Sequence, residues 1–188
     1  KDVAAKYGVT PCPGSDWQYS GIYSEPVQWF VEHTVDYMSP QVYWPIGAPE
    51  DYKEITPWWY YVAHHFDRHC YISQSLSGLQ ATNKLKPMTK VSQSSFDAFE
   101  IVRQLQLNYS SCLENAPGMQ FFNASGFSKT AFVAVLKEQI WTNKAKVPAM
   151  TWYNVPKQGI VDNVTVSGTA VSWTSSMENV RYGVYAIP

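Results

Sequence analysis

Residues 35–44 read Val-Asp-Tyr-Met-Ser-Pro-Gln-Val-Tyr-Trp, a β-favouring run that ends in a loop rich in proline and glycine at 45–49. A helical pattern follows at 51–66, so this part of the chain predicts a strand, a loop and a helix. The same order is expected before it, where a short strand at 7–10 precedes a helix at 25–31 that has a proline in its first turn.

Two further pairs of a strand and a helix follow along the chain. The strands are expected at 70–76 and 118–123, and the helices at 95–109 and 128–141. Ser94 followed by Asp97 suggests a capping pair at the start of the first of these helices. Four strand and helix units in succession predict parallel strands joined by right-handed crossovers, and therefore an α/β fold.

The pattern changes after residue 146. Residues 147–188 contain no helical periodicity, and their later part alternates with the period of two that is typical of antiparallel strands. Val171 and Trp173 are the expected inward residues of the second strand there. We therefore predict a first domain at 1–146, and a linker with the opening strands of a β-sandwich at 147–188. Both ends of the chain are expected to be cuts in a longer protein.

Composition excludes several classes of partner. The chain has 188 residues, a net charge of −1 and no cluster of lysine and arginine, so nucleic acid is not an expected partner. It contains no apolar run of about 18 residues, so no membrane span is predicted. Glycine-rich phosphate-binding motifs are missing from the sequence, and no cofactor is expected.

Cysteine and histidine placement argues against a metal site. The three cysteines, of which Cys70 is expected in the core, have spacings that fit neither a disulfide framework nor a zinc site. The neighbouring His64 and His65 would point about 100° apart on a helix, so no metal is predicted. By contrast, 8 tryptophans and 13 tyrosines provide many flat rings with a polar tip, a type of surface that suits the C–H faces of sugars.

Several strand-end motifs carry a resemblance to a known family. They are Asp36-Tyr37 with Pro40-Gln41 and Tyr43-Trp44, then Trp58-Trp59, then the strand at 70–76, then Gly118 with Phe121-Phe122. In this order they resemble the latter half of the bacterial glycosyl-hydrolase-like 10 family, also known as the DUF187 group. The resemblance covers residues 5–145, and the residues after it resemble the fibronectin type III-like sandwich that commonly follows the barrel in this family.

The resemblance implies a partial TIM (β/α)8 barrel of about four C-terminal units, with the site at the carboxyl ends of its strands. It also implies a glycoside hydrolase of the cell envelope, or a secreted one, located in the periplasm or at the outer-membrane surface. The expected substrate is a bacterial or dietary polysaccharide, and the family includes an enzyme that acts on peptidoglycan glycan strands. The family's Asp-rich motif has no counterpart here, so we expect the catalytic acids to lie outside this chain and the chain itself to be inactive.

Glycoside hydrolysis ordinarily needs two carboxyl groups that flank the scissile bond. The acids that lie in or beside the first two loops are Asp16, Glu25, Glu50 and Asp51. Asp51 is better explained as a charge at the N-terminus of a helix, where it interacts favourably with the helix dipole. Asp36 begins a strand and is interpreted as structural. Asp16, beside Trp17, is the remaining candidate for a catalytic acid.

Residues near the carboxyl ends of the predicted strands are the candidates for sugar binding. They are Gln41, Tyr43 and Trp44 after the second strand, Gln74 in the third and Asn123 after the fourth, with Trp17 as a further candidate. Amide, phenol and indole groups together offer hydrogen bonds and a stacking face. Trp58 and Trp59 are expected to lie in the core or at an interface.

Two alternatives to an enzyme remain open. A non-catalytic carbohydrate-binding or surface module fits the aromatic residues and the missing acids equally well, and a purely structural scaffold for the sandwich domain is the other. In addition, half a barrel leaves two strand edges unpaired, so we expect the chain to pair its edges with a second copy or to rearrange them.

Overall fold

The computed structural model describes residues 3–14, 17–80, 90–113, 118–145, 147–153, 161–176, 182 and 184, and only the backbone of residues 3 and 17. The chain divides into two compact units, Lys1–Trp152 and Tyr153–Pro188. The end of the first unit is attached to its body, since the indole Nε1 of Trp152 donates to Asp36 Oδ1 at 3.0 Å.

The first unit alternates helices with short strands. Its elements in chain order are α1 Val3–Lys6, α2 Trp17–Ile22, α3 Pro26–Val31, β1 Tyr37–Met38, α4 Tyr52–His65, β2 His69–Cys70, β3 Ile72–Ser75, α5 Ala98–Ser111, β4 Met119–Phe122, a 3-10 helix at Ala124–Ser128 and α6 Thr130–Gln139. The strand expected at 35–44 is therefore shorter than its β-favouring composition suggests, and the one expected at 70–76 divides into two.

Parallel pairing joins these strands. β2 and β3 lie one after the other, separated by Tyr71. β1 pairs in parallel with β2, and a parallel bridge between Gln41 and Ser73 continues this pairing beyond β1. β4 pairs in parallel with β3 along the opposite edge, where Ser75 lies opposite Phe122. The expectation that the second, third and fourth predicted strands are parallel neighbours is confirmed, while the barrel itself stays a prediction.

β2 and β3 together lie between β1 and β4 and are called the middle strand. One face of the middle strand points toward the helices. Ile72, Gln74 and Leu76 are all 3% exposed or less, and they belong to or border the apolar clusters formed with α4, α5 and α6. The alternate residues point the other way, and their register partners on this second face, Gln41 and Phe122, are exposed. The surfaces of the sheet that are open to a ligand are therefore the loops at the strand ends and this second face.

Side-chain caps fix where the two long helices begin. Asp51 accepts a hydrogen bond from the backbone N–H of Lys53 at the start of α4, and Asp97 accepts one from Glu100 N at the start of α5. Each bond satisfies one of the N–H groups that have no partner inside a helix. The predicted pairing of Ser94 with Asp97 is wrong, because Asp97 is itself the N-cap residue.

The strand expected at 7–10 is also wrong. The N–H groups of Tyr7 and Val9 both donate back to the carbonyl of Ala4, at 2.9 and 3.3 Å, and Gly8 between them has a φ of +74°. This is the usual way in which a glycine in the left-handed conformation ends a helix. The run that resembles a strand in the sequence is therefore the cap of α1, and its apolar Val9 is buried against the core.

The second unit contains an antiparallel hairpin of β5 Asp162–Ser167 and β6 Ala170–Thr174, joined through a turn with Gly168 at a φ of +59°. Val171 and Trp173 are half-buried while their neighbours are exposed, as the alternation predicts. Of the third strand expected here only residues 182 and 184 are described, and the ring of Tyr182 contacts Trp173 edge-on. The fibronectin type III-like fold stays a prediction.

Candidate functional site

A cavity of about 330 Å³ opens beside the segment that follows β1. This volume is near the lower end of the range that is typical of small-molecule sites. The lining residues are Cys12, Pro13, Gly14, Gln18, Pro40, Gln41, Val42, Trp44, Glu50, Ile55 and Trp59. Loops that precede α2 and α4 therefore meet the strand end and the first half of α4 around one space.

Backbone hydrogen bonds hold the central wall of the cavity in place. Ser73 N donates to the carbonyl of Pro40 at 2.9 Å, and Val42 N donates to the carbonyl of Ser73 at 3.0 Å. The segment is thus fixed to the middle strand although only Gln41 in it has a bridge partner. Gln41 is exposed and Trp44 is half-buried, and both contribute to the cavity.

A second wall comes from α4. Ile55 and Trp59 lie one turn apart on the same helix face and both line the cavity. Trp59 is 5% exposed and its ring meets Trp58 edge-on, with 4.9 Å between the ring centroids. Trp58 Nε1 donates to the carbonyl of Thr10 at 2.8 Å, which attaches the loop between α1 and α2 to α4. The two indoles lie in the core as expected, and Trp59 also borders the cavity.

Two neighbouring acids at the start of α4 have different roles. Asp51 Oδ1 accepts from the backbone N–H groups of Gly47 and Lys53, both at 2.9 Å, which agrees with its interpretation as a helix N-terminal charge. Glu50 is exposed and lines the cavity. Within the described part of the chain, no side chain or backbone group bonds to the Glu50 carboxylate.

Aromatic and amide groups also gather at the ends of the other strands. The rings of Tyr43 and Phe122 are nearly parallel, with 6.2 Å between their centroids, and Phe122 is 54% exposed. Asn123 follows it, exposed, and accepts from Ser125 N at 3.0 Å, so it caps the 3-10 helix. Tyr43 and Asn123 lie outside the cavity lining. Phe122 was not predicted as a site residue, although its alternation with Gln120 along β4 indicates the exposed face.

Gln74 lies on the buried side of the sheet. Its Nε2 donates to Gln104 Oε1 at 2.6 Å, and its Oε1 accepts from Ser75 N at 2.9 Å. The residue is 1% exposed and does not line the cavity. Sugar binding by Gln74 stays a prediction, and the contacts give its amide a part in the packing between the middle strand and α5.

Two of the predicted site residues cannot be placed in this geometry. Asp16, the candidate catalytic acid, lies outside the described residues. Trp17 begins α2, and its side chain is likewise outside them. Gln18, the next residue of α2, does line the cavity, so α2 borders the site.

Cys70 belongs to the core and does not line the cavity. Cys70 is fully buried as expected, and burial raises the pKa of its thiol. In the described ranges, no three or more histidine, cysteine, aspartate and glutamate side chains come together as a metal site would need. No helix among the residues described is long and apolar enough to cross a membrane.

Comparisons with known proteins add a relationship. No protein-family model matches the chain. Over 152 residues the chain is 28% identical to the glycosyl hydrolase YngK of Bacillus subtilis (strain 168), a match that takes in 78% of this chain. The chain spans 28% of the length of that protein. The similarity supports the predicted glycosyl-hydrolase-like relationship, while membership of the DUF187 group and the sandwich domain stay predictions.

Proposed function

We propose that this chain supplies the sugar-binding part of a glycoside hydrolase cleft, and that the cavity beside residues 40–44 holds a pyranose ring of the glycan. The observation that carries the proposal is that the indoles of Trp44 and Trp59 and the amide of Gln41 line one cavity at the end of a parallel strand. Indoles offer flat apolar surface to the C–H face of a sugar, and amides bond its hydroxyl groups.

The wider setting is part of the same proposal. In this proposal the parallel strands belong to a partial TIM barrel related to the DUF187 group. The position of the cavity supports this, since sites in such barrels lie at the carboxyl ends of the strands. The second unit is the beginning of a fibronectin type III-like domain. The glycan is a bacterial or dietary polysaccharide such as the glycan strands of peptidoglycan, and the protein works in the cell envelope or outside the cell.

Titration with soluble oligosaccharides tests the proposal, with tryptophan fluorescence as the readout. Gln41→Ala should weaken binding about fivefold, since the amide of this exposed residue no longer forms a hydrogen bond with a sugar hydroxyl group. Trp44→Ala should weaken it about tenfold or more through the loss of stacking. Trp141→Ala is the matched control, because that indole is exposed and stacks on Phe127 instead. Equal affinities in all three variants would contradict the proposal.

One observation favours a non-catalytic carbohydrate-binding module as the second candidate. Among the described residues that line the cavity, Glu50 is the single carboxyl group, whereas hydrolysis needs two. Under the first proposal the catalytic acids come from another part of a longer protein. Release of reducing ends by such a longer protein, lost when acids outside this chain are mutated, supports the enzyme, and binding without turnover supports the module.

Self-association through strand edges remains part of the proposal. β1 and β4 are the outer strands of the parallel pairings that the structure describes. An exposed backbone edge can pair with a second chain. Gel filtration over a range of concentrations should therefore give a dimer, and a compact monomer at every concentration would count against this part.

A further inference from the structure

The cavity has an asymmetric charge. Its walls combine apolar rings with the amides of Gln18 and Gln41 and the carboxylate of Glu50. Of the described residues that line it, none is a lysine, arginine or histidine. A ligand that enters therefore meets one negative group and, from these residues, no positive one.

Glu50 is also available to a ligand. Its neighbour Asp51 uses Oδ1 to cap α4, so the two adjacent carboxylates are not equivalent. Glu50 is exposed at the cavity wall, and no described residue bonds to it. A carboxylate accepts hydrogen bonds only, at two oxygens that can each take a hydroxyl proton. Two neighbouring hydroxyl groups of a sugar ring provide a matching pair of donors.

We infer that the cavity is specific for an uncharged sugar ring, which in peptidoglycan is N-acetylglucosamine and not the acidic N-acetylmuramic acid, with Glu50 accepting hydrogen bonds from the hydroxyl groups of the ring and excluding acidic rings. The inference rests on the proposed function and names the substrate class of that site. Hydrogen bonds to a charged acceptor are stronger than those between neutral groups. A uronic acid would instead place a second carboxylate in the same cavity, and like charges at close range in a partly desolvated site repel strongly.

The experiment compares four soluble tetrasaccharides by calorimetry and tryptophan fluorescence. Two are uncharged, built from glucose and from N-acetylglucosamine, and two are acidic, built from galacturonic and from glucuronic acid. The wild-type chain should bind at least one uncharged tetrasaccharide about tenfold or more tightly than either acidic one. The ratio should fall as the salt concentration rises, because salt screens the repulsion.

Glu50→Gln keeps the shape of the side chain and removes its charge. The substitution should weaken binding of the uncharged ligand about fivefold and reduce its preference over the acidic ligands about tenfold. Glu54→Gln, an exposed acid in the first turn of α4 outside the cavity lining, is the control and should leave the preference unchanged.

The outcomes separate this inference from the proposed function. Equal binding of acidic and uncharged tetrasaccharides by the wild type would overturn the inference but leave a sugar-binding site. An unchanged preference in Glu50→Gln would do the same. Failure of the wild type to bind any of the four would instead contradict the proposed function on which the inference rests.

Discussion

Gln74 on the middle strand and Gln104 on α5 meet side chain to side chain in the interior, with 2.6 Å between Gln74 Nε2 and Gln104 Oε1. The contact continues along α5, where Gln104 Nε2 donates to Glu100 Oε1 at 3.0 Å. Glu100 in turn accepts from the backbone N–H of Ile46 at 2.8 Å. This buried polar row thus connects the middle strand, α5 and the loop at 45–49 that leads toward α4.

Removing the centre of this row should destabilise the first unit. Gln104→Leu leaves Gln74 Nε2 without an acceptor, while Glu100 Oε1 loses one of its two donors and keeps Ile46 N. The free energy of unfolding should therefore fall by about 1–3 kcal/mol. Urea unfolding followed by tryptophan fluorescence measures the change. Gln106→Leu, on the exposed side of the same helix, should change stability by less than about 0.5 kcal/mol. Equal losses in the two variants would contradict the role assigned to the row.

The local parts of this structure could be predicted from the sequence. α4 and the middle strand follow from signals within a few residues, such as the capping carboxylate of Asp51 and the alternation around Ile72. The same alternation predicts that Gln74 is buried, because Gln74 shares a face of the strand with Ile72 and Leu76. Its position at a strand end predicts a ligand-facing amide, which stays a prediction, while the face of the strand accounts for its burial.

The cavity could not be predicted in the same way. It forms where a loop at 12–14 meets Trp59 of α4. Contacts between residues so far apart in the chain do not affect the local periodicity of the sequence. The strand expected at 7–10 failed for a related reason. Gly8 can serve a turn between strands or a helix cap, and only the hydrogen bonds back to Ala4 distinguish the two.

A close contact between Gly126 and Leu76 gives a second prediction. A Cβ at Gly126 would lie 2.5 Å from Leu76 Cδ1 and 2.8 Å from Leu76 Cβ. The Cβ atom cannot move unless the strand backbone moves with it, so Gly126→Ala should lower the free energy of unfolding by about 1–3 kcal/mol.

A double-mutant cycle checks the cause of this loss. Leu76→Ala alone should cost about 2–4 kcal/mol, but less in the background of Gly126→Ala, because it removes Cδ1, the nearest atom that the added methyl group meets, although Cβ remains. Strict additivity of the two substitutions would show that they do not act through this contact.

Trp152 should hold the end of the first unit to its body. Its Nε1 donates to Asp36 at 3.0 Å, its ring meets His69 edge-on at 4.7 Å between centroids, and the Arg68 guanidinium lies 4.8 Å from its centroid. Trp152→Ala should lower the free energy of unfolding by about 2 kcal/mol, roughly half the cost at a fully buried tryptophan. Trp152→Phe keeps a ring and should cost about half as much.

Limited proteolysis gives an independent measurement for Trp152. Cleavage within 147–152 should become faster in Trp152→Ala, because opening of the segment no longer breaks these contacts. Met150→Ala, at a more exposed position of the same segment, is the control and should leave the cleavage rate near that of the wild type. Equal acceleration in both variants would assign the protection to the segment as a whole.

His69 should make the stability of the first unit depend on pH. Desolvation lowers the pKa of its imidazole, although the carbonyl of Ala149 and the carboxylate of Asp67 act in the opposite direction. Tyr71 OH lies 3.0 Å from His69 Nδ1. The folded chain therefore favours the neutral ring, while the unfolded chain takes up a proton near the ordinary value of 6.5. This contribution is present above that pH and is lost as the pH falls.

Comparison of the wild type with His69→Gln isolates this contribution from the carboxylates that titrate at lower pH. The difference in unfolding free energy between the two proteins should be largest near pH 8 and should shrink steadily toward pH 5, because only the wild type has an imidazole to protonate on unfolding. A difference between wild type and His69→Gln that stays constant from pH 8 to pH 5 would mean that the ring takes up its proton equally well in the folded and unfolded chains. In that case Trp152 and its neighbours would not desolvate it.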